Sequence, residues 1–260
     1  MHDTHAVAQT YLSNRVTKYA ILKRGTVVPR WPRIVVPGEP MHITHRGHNR
    51  AATFRSDSDR EYYLDALRSA SHRARCSIHA YVLMTNHIHL LVTPEDRDCT
   101  ARMLKMVGSR YVRYHNAAYA QTGTLWEGRY RLALIDSAYY FLACSRYIDC
   151  NPVRARMVSR PEEYLWSSYR ALALGHPDTL VTPHVSYRAL GLTTSARQSA
   201  YTALCAASVP DTRLAEVRHA TDGGSVLGSA AFHARVEGRI GRPTERRLHG
   251  GDRRSAALVG

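Results

Sequence analysis

The sequence lacks the features that mark a secreted, disulfide-bonded or membrane-spanning protein. Its five cysteines are an odd number without a Cys-x-x-Cys pair, which argues against a disulfide framework or a zinc knuckle. Such cysteines are typical of small buried residues in a reducing compartment. No apolar run is long enough to cross a bilayer, and the residues after Met1 show neither the charged region nor the apolar core of a signal peptide. We therefore expect a cytoplasmic protein with no membrane partner.

Acidic residues are also scarce. Asp and Glu total 21 against 36 Lys and Arg, which gives a formal net charge of +15 and a sequence pI of about 10.0. A surplus this large is typical of proteins that bind a polyanion, most often nucleic acid, although solubility alone is the plainer explanation. We expect a nucleoid-associated protein. The 260 residues, 44% of them hydrophobic, suffice for one or two domains with a buried core.

Hydrophobic periodicity predicts strands that alternate with helices. The elements are, in order, a strand over 40–46, a helix from Ser58, paired strands over 78–94, a helix over 100–119, a last strand over 132–135 and a helix from Ser137 to Asn151. Ser58 and Glu61 have the spacing of a capping box, Ser137 is a suitable N-cap, and Pro152 ends the final helix. Because the middle strands form a hairpin, we predict an α+β fold with a ferredoxin-like antiparallel sheet and packed helices.

The two ends of the chain differ from this pattern. Residues 1–36 read as an N-terminal extension of low order, with a weak helix over Leu12–Leu22. Residues 171–260 read as a helical, basic C-terminal DNA-binding region with a flexible tail, including helices over Leu214–Ala220 and Ser229–Ile240. That helix pair suits either a DNA-binding unit or a simple packing hairpin. Arg242, between Gly241 and Pro243, suits insertion into a minor groove, and a solubilising tail is the alternative.

Two histidines stand on the second strand of the hairpin with one residue between them. Strand side chains alternate, so His87 and His89 share a face and lie about 6–7 Å apart along the strand. Ile88, Leu90 and Val92 take the other, buried face. Two imidazoles at this distance can converge on one metal ion, although paired histidines also arise by chance in a chain with 15 of them.

The last predicted helix supplies a nucleophile. Phe141, Cys144 and Ile148 should face the core, whereas Tyr147 and Asn151 lie one above the other on the adjacent stripe. A metal held by His87, His89 and the amide oxygen of Asn151 would polarise a phosphate that the hydroxyl of Tyr147 attacks. This donor set favours Mg²⁺ or Mn²⁺ over a closed zinc site. Most of the 16 tyrosines serve packing, and those on helical elements rival Tyr147: Tyr111, Tyr114, Tyr139 and Tyr140.

Basic residues interleaved with aromatic ones indicate contacts with a nucleic-acid strand. The turn after the first strand places a glycine among polar side chains, as a loop near a phosphate does, and an ordinary turn is the alternative. The helix over 100–119 interleaves arginines with tyrosines, which also suits a solvated helix with core tyrosines. A loop with an exposed-looking Trp126 follows. The candidate DNA-binding residues are Arg46, His48, Asn49, Arg50, Arg110, Arg113, Trp126, Arg129, Arg131 and Arg242.

The segment Tyr81-Val-Leu-Met-Thr-Asn-His-Ile-His-Leu-Leu-Val92 resembles the HUH motif of single-tyrosine transposases, and most of all the REP-associated tyrosine transposases. Four further matches follow the order of that family: His45-Arg-Gly-His-Asn-Arg50, Gly123-Thr-Leu-Trp-Glu-Gly-Arg-Tyr130, Arg146-Tyr-Ile-Asp-Cys-Asn-Pro-Val-Arg154 and Trp166-Ser-Ser-Tyr169. Together they are specific and cover residues 37–170, which we take as a single-tyrosine HUH transposase domain.

The resemblance implies a metal-dependent enzyme that nicks and rejoins single-stranded DNA hairpins, such as REP-like elements or transposon ends. Tyr147 matches the family's catalytic tyrosine, which forms a 5′-phosphotyrosine, and His87, His89 and Asn151 match its metal site. The sequence departs from the family at His48, at Asp149-Cys150 and at Arg156, which leaves the DNA sequence preference open. Monomer and homodimer are both compatible with the family.

Two other classes of function fit parts of the pattern. A catalytically silent DNA-binding protein of the same fold would need only the positive charge, the Trp126 loop and the C-terminal helices. A metal-dependent phosphodiesterase would use water in place of Tyr147 and would never become attached to DNA. The intact set of His87, His89, Tyr147 and Asn151 favours the transposase.

Overall fold

We describe residues 32–207 and 211–244 of a computed structural model, and from Arg33 onward these residues belong to one compact unit. The predicted helix over Leu12–Leu22 and the tail arginines beyond residue 244 lie outside the described residues. Ile34 and Val36, which we predicted to belong to the N-terminal extension, are buried in the core.

The centre of the fold is a five-stranded sheet in the order β2-β3-β1-β4-β5. The strands are β1 (Met41–Arg46), β2 (Cys76–Met84), β3 (His87–Pro94), β4 (Arg131–Ile135) and β5 (Val226–Leu227). The first four pair antiparallel, and β5 runs parallel to β4. The predicted α+β class and the ferredoxin-like arrangement are confirmed, but β4 is not the last strand, because the C-terminal region adds β5.

Two long helices cover one face of the sheet. They are α1 (Asp57–Ala74) and α2 (Cys99–Ala118). Alternate residues of the central strands point at them and are fully buried: Met41, Ile43, Ile88, Leu90 and Val92. We call this the apolar face. Its burial confirms the predicted alternation along β3 and contributes to the driving force for folding.

The first turn of α1 corrects a prediction. Ser56, not Ser58, is the N-cap: its hydroxyl accepts a hydrogen bond from the amide of Asp59, and the Asp59 carboxylate accepts one from the amide of Ser56 at 3.1 Å. The capping-box spacing occurs twice in succession here. The hydroxyl of Tyr119 also donates to Asp59 at 2.7 Å, so tertiary contacts select the earlier pair.

The opposite face of the sheet is covered by α3 (Phe141–Asp149), which is followed by the short helix α4 (Asn151–Arg154). The predicted start at Ser137 is wrong. Asp136 accepts hydrogen bonds from the amides of Ala138 and Tyr140, which holds the residues between β4 and α3 as a turn. The predicted single helix is also two, since Pro152 occupies the first turn of α4, where its missing amide hydrogen is tolerated.

The C-terminal region packs against the sheet domain. Its helices are α5 (Tyr169–Leu174), α6 (Val185–Arg188), α7 (Thr194–Ala206), α8 (Asp211–Gly223) and α9 (Ala230–Ile240). The two C-terminal helices predicted from periodicity correspond to α8 and α9. They are not an independent helix pair, because β5 lies between them and joins the sheet. Across the described ranges, no helix has the length and apolar character needed to span a membrane.

The two edges of the sheet are built differently. At the β2 edge, the amide of Leu83 donates to the carbonyl of Trp166 at 2.9 Å and the amide of Thr182 donates to that of Ile78 at 2.7 Å. The other edge is the two-residue strand β5, which pairs with β4. Since an open strand edge is a template for pairing with another chain, the contacts along β2 protect the longer edge strand.

Candidate active site

The face of the sheet beneath α3 carries polar side chains in register. Arg46 lies opposite His87, Thr44 opposite His89, and His42 on the same face two residues before Thr44. Directly opposed strand residues point the same way, so these five side chains share one surface. We call it the site face. It confirms that His87 and His89 point away from Ile88, Leu90 and Val92.

The two predicted histidines are neighbours. Their ring centroids lie 5.0 Å apart with the planes at 79°. His89 is buried, while His87 is partly open to solvent. The prediction that the pair converges on one point is therefore compatible with the geometry.

Each ring is held through its Nδ1 atom. Nδ1 of His87 lies 2.7 Å from Oδ1 of Asn86, whose amide nitrogen donates to the carbonyl of Arg50. The Asn86 oxygen can only accept, so His87 carries its hydrogen on Nδ1. Nδ1 of His89 lies 2.8 Å from Nε2 of His42 and 3.0 Å from the Thr44 hydroxyl. The Nε2 atoms of both rings face no hydrogen-bond partner in the described parts of the chain.

Burial keeps these rings neutral. Desolvation lowers the pKa of His87 to about 4, helped by the charge of Arg46. Desolvation lowers the pKa of His42 to about 3 and that of His89 well below its usual range, with His42 and His87 adding repulsion. A neutral imidazole with Nδ1–H held by an acceptor presents its Nε2 lone pair outward, which is the form that binds a metal.

Tyr147 reaches the same surface from α3. Its ring centroid lies 5.7 Å from those of both His42 and His89, and its side chain is buried. Phe141, Cys144 and Ile148 are buried beside it, as predicted. The rival tyrosines are placed differently: Tyr111 and Tyr114 lie on α2, beneath the apolar face, and Tyr139 is 69% exposed. Tyr140 precedes α3, with the guanidinium of Arg213 over its ring.

Sequence reasoning missed Arg154. Its guanidinium carbon lies 4.3 Å from the centroid of the Tyr147 ring, and it also donates a hydrogen bond to the Tyr147 carbonyl. Burial lowers the pKa of this guanidinium, which still remains a cation. The sequence did offer a sign of this role, because Arg154 ends the family-like segment Arg146–Arg154 and lies one helical turn beyond Asn151.

Sequence reasoning also missed His42. Its ring lies nearly parallel to that of His89, with 18° between the planes, and its Nδ1 lies 2.7 Å from the hydroxyl of Thr221 in α8. The alternation of His42 and Thr44 with apolar residues in β1 was the available signal. Nothing in the sequence links His42 to Thr221, which is 179 positions away.

Asn151 begins α4, half-buried, after the break that ends α3. No described hydrogen bond joins it to either histidine, and its role as a third ligand stays a prediction. In the described part of the chain, no group of three or more His, Cys, Asp or Glu side chains could hold a metal ion. The two histidines therefore need a neutral oxygen donor, a water or the substrate to complete a site, and Asn151 carries the side-chain amide nearest in sequence to Tyr147.

Some predicted DNA contacts do lie near the histidines. Arg46 is on the site face, and the exposed His48–Arg50 turn is tied to Asn86 through the Arg50 carbonyl. Gly47 allows this close approach, because a side chain there would meet the Ala51 carbonyl oxygen at 2.4 Å. Arg131 also lies on the site face, where it forms an ion pair with Asp222 at 2.7 Å.

Other predicted DNA contacts lie elsewhere. Trp126 was expected to be exposed, but it is buried. Its ring stacks on that of His45 on the apolar face, with 4.3 Å between the ring centroids. Two glycines at a loop do not reveal that an aromatic side chain turns inward. Arg110, bound to Asp65, and Arg113 lie on α2, on the far side of the sheet from His87 and His89.

Arg129 and Arg242 lie at different ends of the sheet. Arg129 is exposed in the loop before β4, and the amide of Glu127 in that loop donates to the carbonyl of Arg46. Arg242 follows α9, whose Arg235 and Arg239 bind Glu39 just before β1 begins. It therefore belongs to the end of the sheet opposite the His48–Arg50 turn.

Residues 38–151 match the model of the family described as Transposase IS200 like. This segment holds both histidines, Tyr147 and Asn151, and is similar to that family, which confirms the resemblance noted in the sequence at this level.

No curated protein matches the chain. Among solved structures, a REP-associated tyrosine transposase bound to a REP hairpin aligns at 18% identity and a TM-score of 0.49, covering 60% of this chain and 92% of its own. A putative transposase from Deinococcus radiodurans R1 aligns at 20% identity and a TM-score of 0.31, covering 40% and 83%. With TM-scores below 0.5, these likenesses add nothing to the family match.

Proposed function

We propose that the protein nicks and rejoins single-stranded DNA hairpins through a covalent bond between DNA and Tyr147, with Mg²⁺ or Mn²⁺ as cofactor. The observation that carries the proposal is the convergence of Tyr147, two neutral histidines and the Arg154 guanidinium on one partly covered surface. The lowered pKa values of His87 and His89 keep both rings in the neutral form that metal binding needs.

The residues fit a divalent metal. Nε2 of His87 and Nε2 of His89 would hold it together with the Asn151 amide oxygen, and it would supply Lewis acidity toward a phosphate oxygen. Two imidazoles and one amide leave positions for water and substrate. The hydrogen bonds that join His87 to Asn86, and His89 to His42 and Thr44, fix both rings before any ligand arrives.

Tyr147 is the nucleophile. Its hydroxyl oxygen forms a bond to phosphorus while the bond from phosphorus to the 3′-oxygen breaks, which leaves a 5′-phosphotyrosine and a free 3′-hydroxyl. The reverse attack by a 3′-hydroxyl of another strand frees Tyr147 and rejoins the DNA. Arg154, 4.3 Å from the Tyr147 ring centroid, is placed to offset the negative charge of the phosphate.

The DNA path follows from the positions of the cations. Arg46 and Arg131 lie on the side of the sheet that bears Tyr147, and the His48–Arg50 turn follows directly after Arg46. A single strand that reaches Tyr147 passes close to them. The resemblance to REP-associated transposases makes REP-like hairpins or transposon ends the substrates to try first. Contacts between DNA and basic residues elsewhere, such as Arg110 and Arg113, are not required for the chemistry.

The proposal favours one chain per active site. Tyr147 and His89 of the same chain are in ring contact, and the β2 edge of the sheet is covered by residues of the C-terminal region. A monomer therefore contains all the groups that the reaction uses.

The test uses end-labelled single-stranded hairpins taken from the genomic flanks of the gene, with Mg²⁺ or Mn²⁺, on a denaturing gel. We expect a metal-dependent band that carries the mass of the protein in the wild type and is absent from Tyr147→Phe and His87→Ala. Tyr147→Phe should still bind the hairpin in a native gel. Cleavage without a shifted band would make water the nucleophile. DNA binding without cleavage and without a shifted band would indicate a catalytically silent DNA-binding protein.

A further inference from the structure

We infer that Thr221 of α8 is a positioning residue for the metal-binding nitrogen of His89, acting through His42. The inference rests on the proposed function, because it concerns the same metal site. It gives the C-terminal region a part in the active site that neither the transposase segment 38–151 nor the sequence pattern contains.

The direction of each hydrogen bond follows from Thr221. Its single hydroxyl hydrogen is donated to the carbonyl of Val217 at 2.9 Å, the turn before it in α8. Toward Nδ1 of His42, at 2.7 Å, the hydroxyl oxygen must therefore accept. His42 thus carries its hydrogen on Nδ1.

The next step reaches the metal ligand. A neutral His42 with hydrogen on Nδ1 has a lone pair on Nε2, and this atom lies 2.8 Å from Nδ1 of His89. His89 consequently carries its hydrogen on Nδ1 and leaves Nε2 as a lone pair. If Thr221 donated instead, His42 and His89 would both carry their hydrogen on Nε2. The Nε2 atom of His89 would then have no lone pair for a metal.

The surroundings make this arrangement specific. His42 and Thr221 are 1% and 3% exposed, so water does not compete for either group. Val217 and Ala220 of α8 are buried in the core on this side of the sheet. Helix α8 is thereby held against the sheet at the position where the Thr221 hydroxyl meets the His42 ring.

The first test measures Mn²⁺ binding to the metal-free full-length protein by calorimetry. Thr221→Val keeps the shape and removes the acceptor, and Thr221→Ser restores it. Outer-shell partners of a metal-bound histidine are worth about 10–100-fold in affinity, and we expect about 10-fold weaker binding for Thr221→Val and recovery in Thr221→Ser. Thr100→Val is the matched control: Thr100 is also buried in a helix, its hydroxyl has no partner, and it lies on α2. It should bind like the wild type.

His89→Ala separates this inference from the proposed function. Loss of binding in His89→Ala with wild-type affinity in Thr221→Val would overturn the role of Thr221 and leave the metal site standing. Unchanged binding in His89→Ala would remove the metal site itself.

A second measurement does not depend on the variants folding. The ¹⁵N chemical shifts of the histidine rings in the metal-free wild type report which nitrogen carries the hydrogen. We expect the Nδ1–H form for His42 and His89. An Nε2–H form of His89 would overturn the inference.

Discussion

The two faces of the sheet are built from alternating residues of the same strands, yet they do different work. The apolar face presents Met41, Ile43, Ile88, Leu90 and Val92 to two long helices. The site face presents His42, Thr44, Arg46, His87 and His89 to α3 and α8. A one-residue shift in register would exchange the faces, so burial of the apolar face also fixes where the histidines point.

The comparison shows how the free-energy cost of burying the polar side chains of the site face is offset. Three imidazoles on the site face are largely withdrawn from water, which lowers the pKa of each ring and adds little to stability. The apolar face offsets this, since its side chains are fully buried and contribute about 25 cal/mol for each Å² removed from water. Changes at the buried residues of the apolar face should therefore alter stability, and changes at the site-face histidines should alter chemistry.

Adjacent substitutions in β3 give the largest contrast. His87→Ala should abolish the metal-dependent covalent adduct and change the free energy of unfolding by about 1 kcal/mol or less, because His87 is partly exposed. Ile88→Ala should lower that free energy by about 2–5 kcal/mol through the cavity it leaves, while the folded protein still forms adduct. Urea unfolding and the adduct gel measure both. Equal loss of stability in the two variants would contradict the division between faces.

Arg154→Gln should slow adduct formation about 100-fold, the effect of removing one donor that stabilises transition-state charge. Hairpin binding should change far less, since the guanidinium is buried over the Tyr147 ring. Single-turnover kinetics with saturating protein separate the two effects. A rate within about twofold of the wild type would mean that Arg154 only supports α4.

Asp149, the last residue of α3, allows a test of pH dependence. Burial raises the pKa of this carboxyl to about 7, although Ser168 and Tyr201 donate hydrogen bonds to it. The unfolded chain loses this proton near pH 4, and the folded protein near pH 7. The free energy of unfolding should therefore fall between these values by a few kcal/mol as the pH rises.

Asp149→Asn cannot ionise and should lack that decline. Thermal unfolding of both proteins from pH 4 to 8 isolates the contribution of Asp149 as a difference, since the buried histidines are common to both. If the stability of the two proteins changed with pH in the same way, the raised pKa of Asp149 would be contradicted.

The smallest expected effect compares arginines on the two sides of the sheet. Arg46→Ala should weaken hairpin binding about tenfold, because a charged hydrogen bond to a phosphate is worth about 1.5 kcal/mol or more. Arg113→Ala, on α2, should stay within about twofold. Binding is measured by fluorescence anisotropy at two salt concentrations, where Arg46→Ala should also reduce the salt dependence. A larger loss for Arg113→Ala would place the DNA along α2, as the interleaved tyrosines suggested.

The sequence predicted what depends on local periodicity. Alternation in β3 fixed the face of His87 and His89, and helical spacing placed Tyr147 beside Ile148 and Cys144. What it missed depends on tertiary contacts: the choice of Ser56 over Ser58 as cap, the turn around Asp136, the inward ring of Trp126 and the pairing of β5 with β4. Thr221 is the clearest case, because no local pattern can bring a residue of α8 to His42.

The most direct test of the central claim locates the DNA attachment by mass spectrometry. Trypsin cuts after Arg146, so Tyr147 begins the peptide Tyr147–Arg154 and is its only tyrosine, while Tyr139 and Tyr140 fall in the preceding peptide. After reaction with a hairpin and nuclease digestion, we predict a nucleotide remnant on Tyr147, assigned by fragment ions even where cleavage at Arg146 is incomplete. A remnant on Tyr139 or Tyr140, or on no tyrosine despite cleaved DNA, would contradict the account.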